Sequence, residues 1–289
     1  MGAAAADGGS VLFSWKREDF DALLRSCDHD DASPFLLRAL PRDGKILEVG
    51  CGLGRFVKYM RDRGFDCDGI EGNPDTVRAV AELCPGLPVL HGDALRLPHG
   101  DGTVAGVISL GVVEHFPAGL GAPLRELRRV LRPGGRGVIS VPSLNRLRRA
   151  KRALLLEEAL FLANPRNLLR HSRLARRALG KPPLDEELTW NRRRPGPHAI
   201  HPPFGPFFEY RLRPEEFEAE LRGAGFRILE SRPICHLDGV YLEFGRALVG
   251  FRGWTFHPNA AGRALDRALR RWPFTHNHMH LCVVEPETA

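Results

Sequence analysis

Between residues 45 and 141, short apolar runs alternate with helical stretches at a spacing that few architectures accommodate. Residues 45–50 (KILEVG) read as a strand ending in glycine, and 55–63 as a helix with Phe56, Val57 and Met60 on one face. Residues 66–71 are a second strand. A helix over 74–83 follows, opened by Asn73 as its cap and Pro74 as its first residue, then a third strand over 87–91. Residues 103–110 (TVAGVISL) form a fourth strand, 122–131 a helix ended by Pro133 and Gly134, and 135–141 a fifth strand. Apolar strands joined by helices imply a parallel sheet covered on both faces.

After Pro142 the rhythm breaks. Residues 143–209 are rich in arginine and leucine and then in proline (RRRPGPHAIHPPFGPF). A helix over 214–223 and a strand over 226–230 resume the pattern. A second insertion, 235–277, carries an amphipathic helix over 260–271, and a last strand spans 278–284 (HMHLCVV). The chain therefore divides into a loose tail, 1–10, and one domain, 11–289. That domain has its core at 45–142, 210–234 and 278–285, with insertions at 143–209 and 235–277.

The whole charge excess of +7 sits in one place, because residues 144–194 hold fourteen Lys/Arg against five Asp/Glu. A near-neutral body with one basic block suggests a local docking surface rather than general polyanion binding. No run approaches the ~20 apolar residues of a membrane span. The opening residues lack the pattern of a secretion signal. The six cysteines are scattered, without a C-x-x-C pair, as in reduced cytoplasmic proteins.

The chemistry concentrates at Glu48-Val49-Gly50-Cys51-Gly52-Leu53-Gly54, where the first strand meets the first helix. Glycines there permit a sharp turn and close approach of a ligand to backbone, and the following helix offers unpaired N–H groups. The dinucleotide fingerprint G-x-G-x-x-G would need glycine where Arg55 stands. Cys51 reads as a small side chain filling the turn. An acidic residue followed by three alternate glycines resembles motif I of the class I S-adenosylmethionine-dependent methyltransferases. Leu131-Arg132-Pro133-Gly134-Gly135 before a strand is similar to another hallmark of that family. Together these motifs resemble the ubiquinone/menaquinone-biosynthesis-like domain, methyltransferase type 11.

The resemblance implies a three-layer, doubly wound, Rossmann-like α/β fold. Its seven-stranded sheet would be mostly parallel with an antiparallel last strand, and here it would carry two helical insertions. S-adenosyl-L-methionine is the cofactor implied. Its binding residues would be Glu48, Gly50, Cys51, Gly52 and Gly54 in the loop, Glu71, Gly72 and Asn73 after the second strand, Asp93 and Ala94 after the third, and Leu110 ending the fourth. Glu71 would accept the ribose hydroxyls, and Asp93 would lie beside the adenine amino group.

A sulfonium is already a good leaving group, so the protein's task is to align the nucleophile. If the acceptor is a hydroxyl, His115 is the candidate base, and the alternative is a ring that packs beneath the cofactor. Glu114-His115 resembles the end of the metal-binding E-x-x-E-H signature, but Gly111 replaces its first glutamate, so no metal is expected unless His198 or His201 completes a site. His276, His278 and His280 alternate as residues on one strand face do. The acceptor implied is a small molecule (quinone, lipid, sugar or other secondary metabolite), with oxygen favoured. The alternatives are a nucleic acid held by the basic 144–194 block, or a noncatalytic cofactor-binding protein. Residues 144–163, basic and then apolar, pack on the body or make peripheral contact with a membrane. No obligate protein partner is expected.

Overall fold

The computed structural model describes residues 15–154 and 207–287, together with residue 178 and the short strands at 4–5, 11–12 and 198–200. The expected tail, 1–10, therefore lies outside the described residues except at Ala4–Ala5. So does most of the first insertion.

Seven strands form the central sheet: β1 (Ile46–Val49), β2 (Cys67–Glu71), β3 (Val89–His91), β4 (Val104–Leu110), β5 (Leu131–Pro142), β6 (Phe226–Ile234) and β7 (Met279–Pro286). Their order across the sheet is β6-β7-β5-β4-β1-β2-β3. Strands β1 to β5 pair in parallel, and β7 runs antiparallel to both β5 and β6. This is the expected α/β architecture, and its order reverses direction between β1 and β4. In open sheets of this kind the crevice beyond the strands' carboxyl ends at that reversal is where ligands bind.

Helices cover both faces. Helices α1 (Phe20–Ser26), α2 (Ser33–Ala39) and α3 (Arg55–Arg61) supply Phe20, Leu23, Leu36, Phe56 and Met60 to one core layer. Helices α5 (Gly121–Val130) and α7 (Pro214–Gly223) supply Leu124, Leu127, Phe217 and Leu221 to the other. Helix α4 (Pro74–Leu83) begins as its sequence dictates, with Asn73 accepting from the backbone N–H of Asp75 and Thr76 and with Pro74 in the first turn. Also among the described residues are helices α6 (Arg146–Ala153), α8 (His236–Phe244) and α9 (Ala260–Leu269).

Several boundaries differ from expectation for identifiable reasons. Helix α5 ends at Val130, within one residue of the expected end, and the Pro133-Gly134 pair beyond it already lies inside β5 rather than before it. Leu131 pairs with Val104 and Arg136 with Gly106, so four residues bulge opposite Ala105. His276 precedes β7, so the three alternating histidines do not share a strand face. His278 meets Arg148, with its Nδ1 3.2 Å from Nη2, while the His280 ring sits edge-on to Phe217 and Phe274.

Candidate cofactor and acceptor site

The loop after β1 is shaped by close contact with its own surroundings. Gly50 and Gly52 have φ of 73° and 55°, in the left-handed region. A Cβ on Gly50 would lie 2.5 Å from Val112 Cγ2, and one on Gly52 would lie 2.8 Å from Trp15 Nε1. The glycine at 52 is thus required by the Trp15 indole lying against the loop, a contact the sequence did not reveal. Cys51 is the small buried filler expected. Its Sγ would be 2.6 Å from a Cβ on Gly69 in β2, and burial pushes its thiol well up, away from reactivity.

At the end of β2, Glu71 is buried and accepts from the backbone N–H of Gly52 (2.8 Å) and of Asn73 (2.9 Å). The glycine loop and the second strand are therefore joined through one carboxylate, which burial pushes upward in pKa against those donors. Asp93, beyond β3, is exposed and accepts from Leu95 N–H at 2.8 Å in a turn. Gly72 and Ala94 flank these two acids, and Leu110 closes β4 on the other side of the crevice.

Two carboxyl groups line the reversal point without a full set of partners. Glu48, on β1, is buried with Oε2 unpartnered, and burial pushes it up to about 8. Glu114, in the short turn Val113–His115 after β4, is 1% exposed with Oε2 also unpartnered, and burial raises it well above the usual carboxyl range. Buried acceptors without donors are uncommon because each forfeits its hydration. A cationic ligand seated in the crevice would supply what both lack. S-adenosylmethionine carries a sulfonium and an amino group, so the residues present fit it.

His115 Nε2 stands 3.8 Å from Glu114 Oε1, beyond hydrogen-bond length, and its side chain is 12% exposed. The end of the first insertion reaches this turn, where Tyr210 donates its N–H to Glu114 O and its hydroxyl to Pro117 O, both at 2.9 Å. At Gly111 a Cβ would come 3.5 Å from Glu114 Oε1, so a glutamate of the E-x-x-E-H pattern is replaced by space beside Glu114. The side chain of His198 and all of His201 lie outside the described residues.

Sequence reading missed the aromatic wall beside the loop. Trp15 stacks against Trp254 (centroids 5.8 Å), which meets Phe251 edge-on, and Phe251 packs on Phe256 and Tyr241. Trp254 sits at the turn of an antiparallel hairpin, Val249–Arg252 with Thr255–Pro258. Gly253 and Trp254 both have positive φ, 57° and 60°. A two-residue turn of that hand matches strand twist, and the Gly-Trp pair between two short apolar runs was its available signal.

The basic block is only partly surface. Arg148 and Lys151 of α6 both reach Glu243 on α8 at 2.7 Å, with side-chain exposures of 4% for Arg148 and 8% for Glu243. Arg148 also donates to Ser143 O. The expected docking face over 144–163 therefore loses two cations to an internal ion cluster, and its apolar part beyond residue 154 lies outside the described residues.

This arrangement agrees with comparison to known proteins. Residues 47–139 match the methyltransferase domain family. The Synechocystis 2-methyl-6-phytyl-1,4-hydroquinone methyltransferase is 34% identical over 103 residues, covering 34% of this chain and 32% of that one. The mouse tRNA (carboxymethyluridine(34)-5-O)-methyltransferase is 32% identical over 111 residues, covering 36% of this chain and 16% of that one. A Pyrococcus horikoshii crystal structure superposes with a TM-score of 0.53 at 21% identity, covering 91% of each chain. Residues 47–139 are thus similar to the type 11 methyltransferase domain, and the fold around them is the Rossmann-like one. The chain spans between 16% and 39% of the length of the curated relatives named first. Among the described residues no helix is long and apolar enough to cross a membrane.

Proposed function

We propose that this protein transfers the methyl group of S-adenosylmethionine to a small-molecule acceptor, with oxygen as the favoured atom. The observation that carries the reading is Glu71, held at the end of β2 by Gly52 and Asn73 N–H, beside the crevice where Glu48 and Glu114 keep unpartnered buried oxygens. Glu71 retains acceptor capacity for a ribose diol. Glu48, Gly50, Cys51, Gly52, Gly54 and Leu110 would surround the methionine end, and Gly72, Asn73, Asp93 and Ala94 the nucleoside end. The bound cofactor supplies an activated methyl on a sulfonium, so the chain's own work is to orient the acceptor and exclude water. The Trp15–Trp254 wall favours a flat or apolar acceptor. His115 receives the acceptor's proton at Nε2, because it follows β4 at the crevice beside Glu114, whose carboxyl burial pushes upward.

Calorimetry should detect binding of S-adenosylmethionine and its demethylated product by the wild-type chain. A folded Gly52→Arg variant should lose it, because the new side chain must displace Trp15 and the loop. Normal affinity in that variant would remove the site. With an acceptor in hand, His115→Ala should slow turnover by roughly 10²-fold or more, without changing cofactor affinity. The tRNA-modifying relative supports a second reading, in which the basic block holds RNA. Arg146→Gln with Arg149→Gln would then weaken RNA binding and flatten its salt dependence, whereas a small-molecule enzyme would show neither effect.

A further inference from the structure

A polar cluster outside the motif-bearing loops joins three elements of the second insertion. His236 opens α8, Asp266 lies on α9, and His276 lies on the segment entering β7. Their exposures are 8%, 8% and 0%. One ligand-forming atom of each lies within 4.8 Å of the other two, and among the described residues no other group of three His, Cys, Asp or Glu has the geometry to share an ion. His276 Nε2 is 2.9 Å from Asp266 Oδ1, and the two imidazole rings are 4.8 Å apart between centroids.

Hydrogen bonding leaves this cluster incomplete. The buried Nδ1 atoms of both His236 and His276 lack partners, and so does Oδ1 of the adjoining, fully buried Asn277. The two nitrogens of an imidazole point from opposite edges, so an ion that takes His276 Nε2 beside Asp266 leaves that ring's Nδ1 to other partners, and His236 Nδ1 is the orphaned ring nitrogen of the other histidine. The frame is also tight. A Cβ on Gly239 would fall 1.5 Å from His276 O, so α8 lies directly against the backbone that carries His276.

We propose that His236, Asp266 and His276 bind one divalent ion of the zinc type, pinning α8 and α9 to the segment entering β7. Two imidazoles and a carboxylate suit zinc better than magnesium or calcium, which prefer all-oxygen shells. Ligands about 2.0–2.2 Å from the ion lie roughly 3.3–3.5 Å from one another, so on loading the 2.9 Å His276–Asp266 pair opens by about 0.5 Å while the widest separation, 4.8 Å at most, closes by up to about 1.4 Å. A fourth position falls to water. Arg270 bonds both Asp266 oxygens (3.0 and 2.9 Å) and is the group the ion must share or displace, which its half-exposed side chain permits. Such an ion would fix the hairpin carrying Trp254, because Tyr241 of α8 packs on that hairpin's Phe251 and Phe256.

The test uses the full chain, stripped with a chelator, dialysed and titrated with zinc alone. Wild type should take up one equivalent and gain several degrees in Tm. His276→Gln and Asp266→Asn, checked for folding by circular dichroism, should each weaken uptake at least 100-fold, while the exposed-histidine variants His29→Gln and His257→Gln should not. Cobalt in the wild-type chain should give strong visible bands of a four-coordinate site, a readout that needs no variant to fold. No stoichiometric zinc uptake by wild type, cobalt bands of an octahedral ion only, or equal uptake in both cluster variants would each overturn the proposal.

Discussion

Two buried carboxylate regions treat the same chemical group in opposite ways. At the β1/β4 crevice, Glu48 and Glu114 are buried with unpartnered oxygens, and burial raises both. At the α6/α8 junction, the Glu243 side chain is also largely withdrawn from water, at 8% exposure. There Lys151 and Arg148 outweigh the upward push of burial and leave its carboxyl below the usual range. A self-satisfied ion cluster holds a fold together, whereas an unsatisfied one waits for a partner from outside. The difference separates a joint from a site without reference to any motif.

The largest effect that could break this comparison is expected at the joint. Arg148→Ala leaves Glu243, Ser143 O and His278 without their shared donor. It should destabilise the chain by about 3–5 kcal/mol, the usual cost of stripping one member from a buried pair. Urea denaturation measures it, and cofactor affinity of the folded fraction should not change. A loss of affinity with unchanged stability would reverse the assignment of joint and site.

The next effect is at the site. Glu71→Ala should weaken S-adenosylmethionine binding by about 1.5–3 kcal/mol through loss of charge-assisted hydrogen bonds. The loop loses its tie to Gly52 N–H as well, so thermal unfolding must be followed beside calorimetry. Unchanged affinity would take Glu71 out of the nucleoside pocket.

The effect that is smallest per step of the measurement is a slope. Glu48 titrates near 4.5 when unfolded and about 8 when folded, so between those values the native state binds more protons than the unfolded chain. Its contribution is complete below pH 4.5 and is lost as pH rises through 8, at no more than about 1.4 kcal/mol per pH unit. Glu48→Gln should therefore lessen the fall of stability between pH 5 and 8, with Glu114, Glu71 and Asp238, which burial also raises, contributing to what remains. Denaturation midpoints across that range decide it, and an identical slope in the variant would mean Glu48 is charged and partnered in solution.

Legibility in the sequence followed the range of the interactions involved. Strands β1 to β4, and the start of α4 at Asn73-Pro74, were readable because periodicity and capping act over a few residues. Glu71 was readable as a strand-end acid at a fixed distance from the glycines, and the structure ties it to Gly52. By contrast, α1 and α2 went unread: α3 is equally short at seven residues, but it follows β1 and the glycine loop, whereas α1 and α2 precede the first strand of the sheet with no motif beside them. Arg148 looked like docking surface because its partner, Glu243, lies 95 residues away. Trp15 over Gly52 is equally nonlocal. Pro133-Gly134 gave the end of α5 but not the start of β5, because the same dipeptide that follows a helix here also sits in a bulge of the strand.

The chain leaves the sheet after β5 and returns before α7 at nearly the same point. Ser143 bridges Leu212 in parallel, Leu144 N–H reaches Leu212 O at 2.7 Å, and Leu212 N–H reaches Pro142 O at 3.2 Å. What lies between these ties is therefore, in topological terms, a closed excursion whose length the sheet does not register. Doubling such a loop costs only about 0.6 kcal/mol in closure entropy. The excursion's far end nevertheless touches the turn beneath His115 through Tyr210. A lineage could exchange this segment for another of different size and chemistry, altering what is presented to the crevice while inheriting the scaffold unchanged.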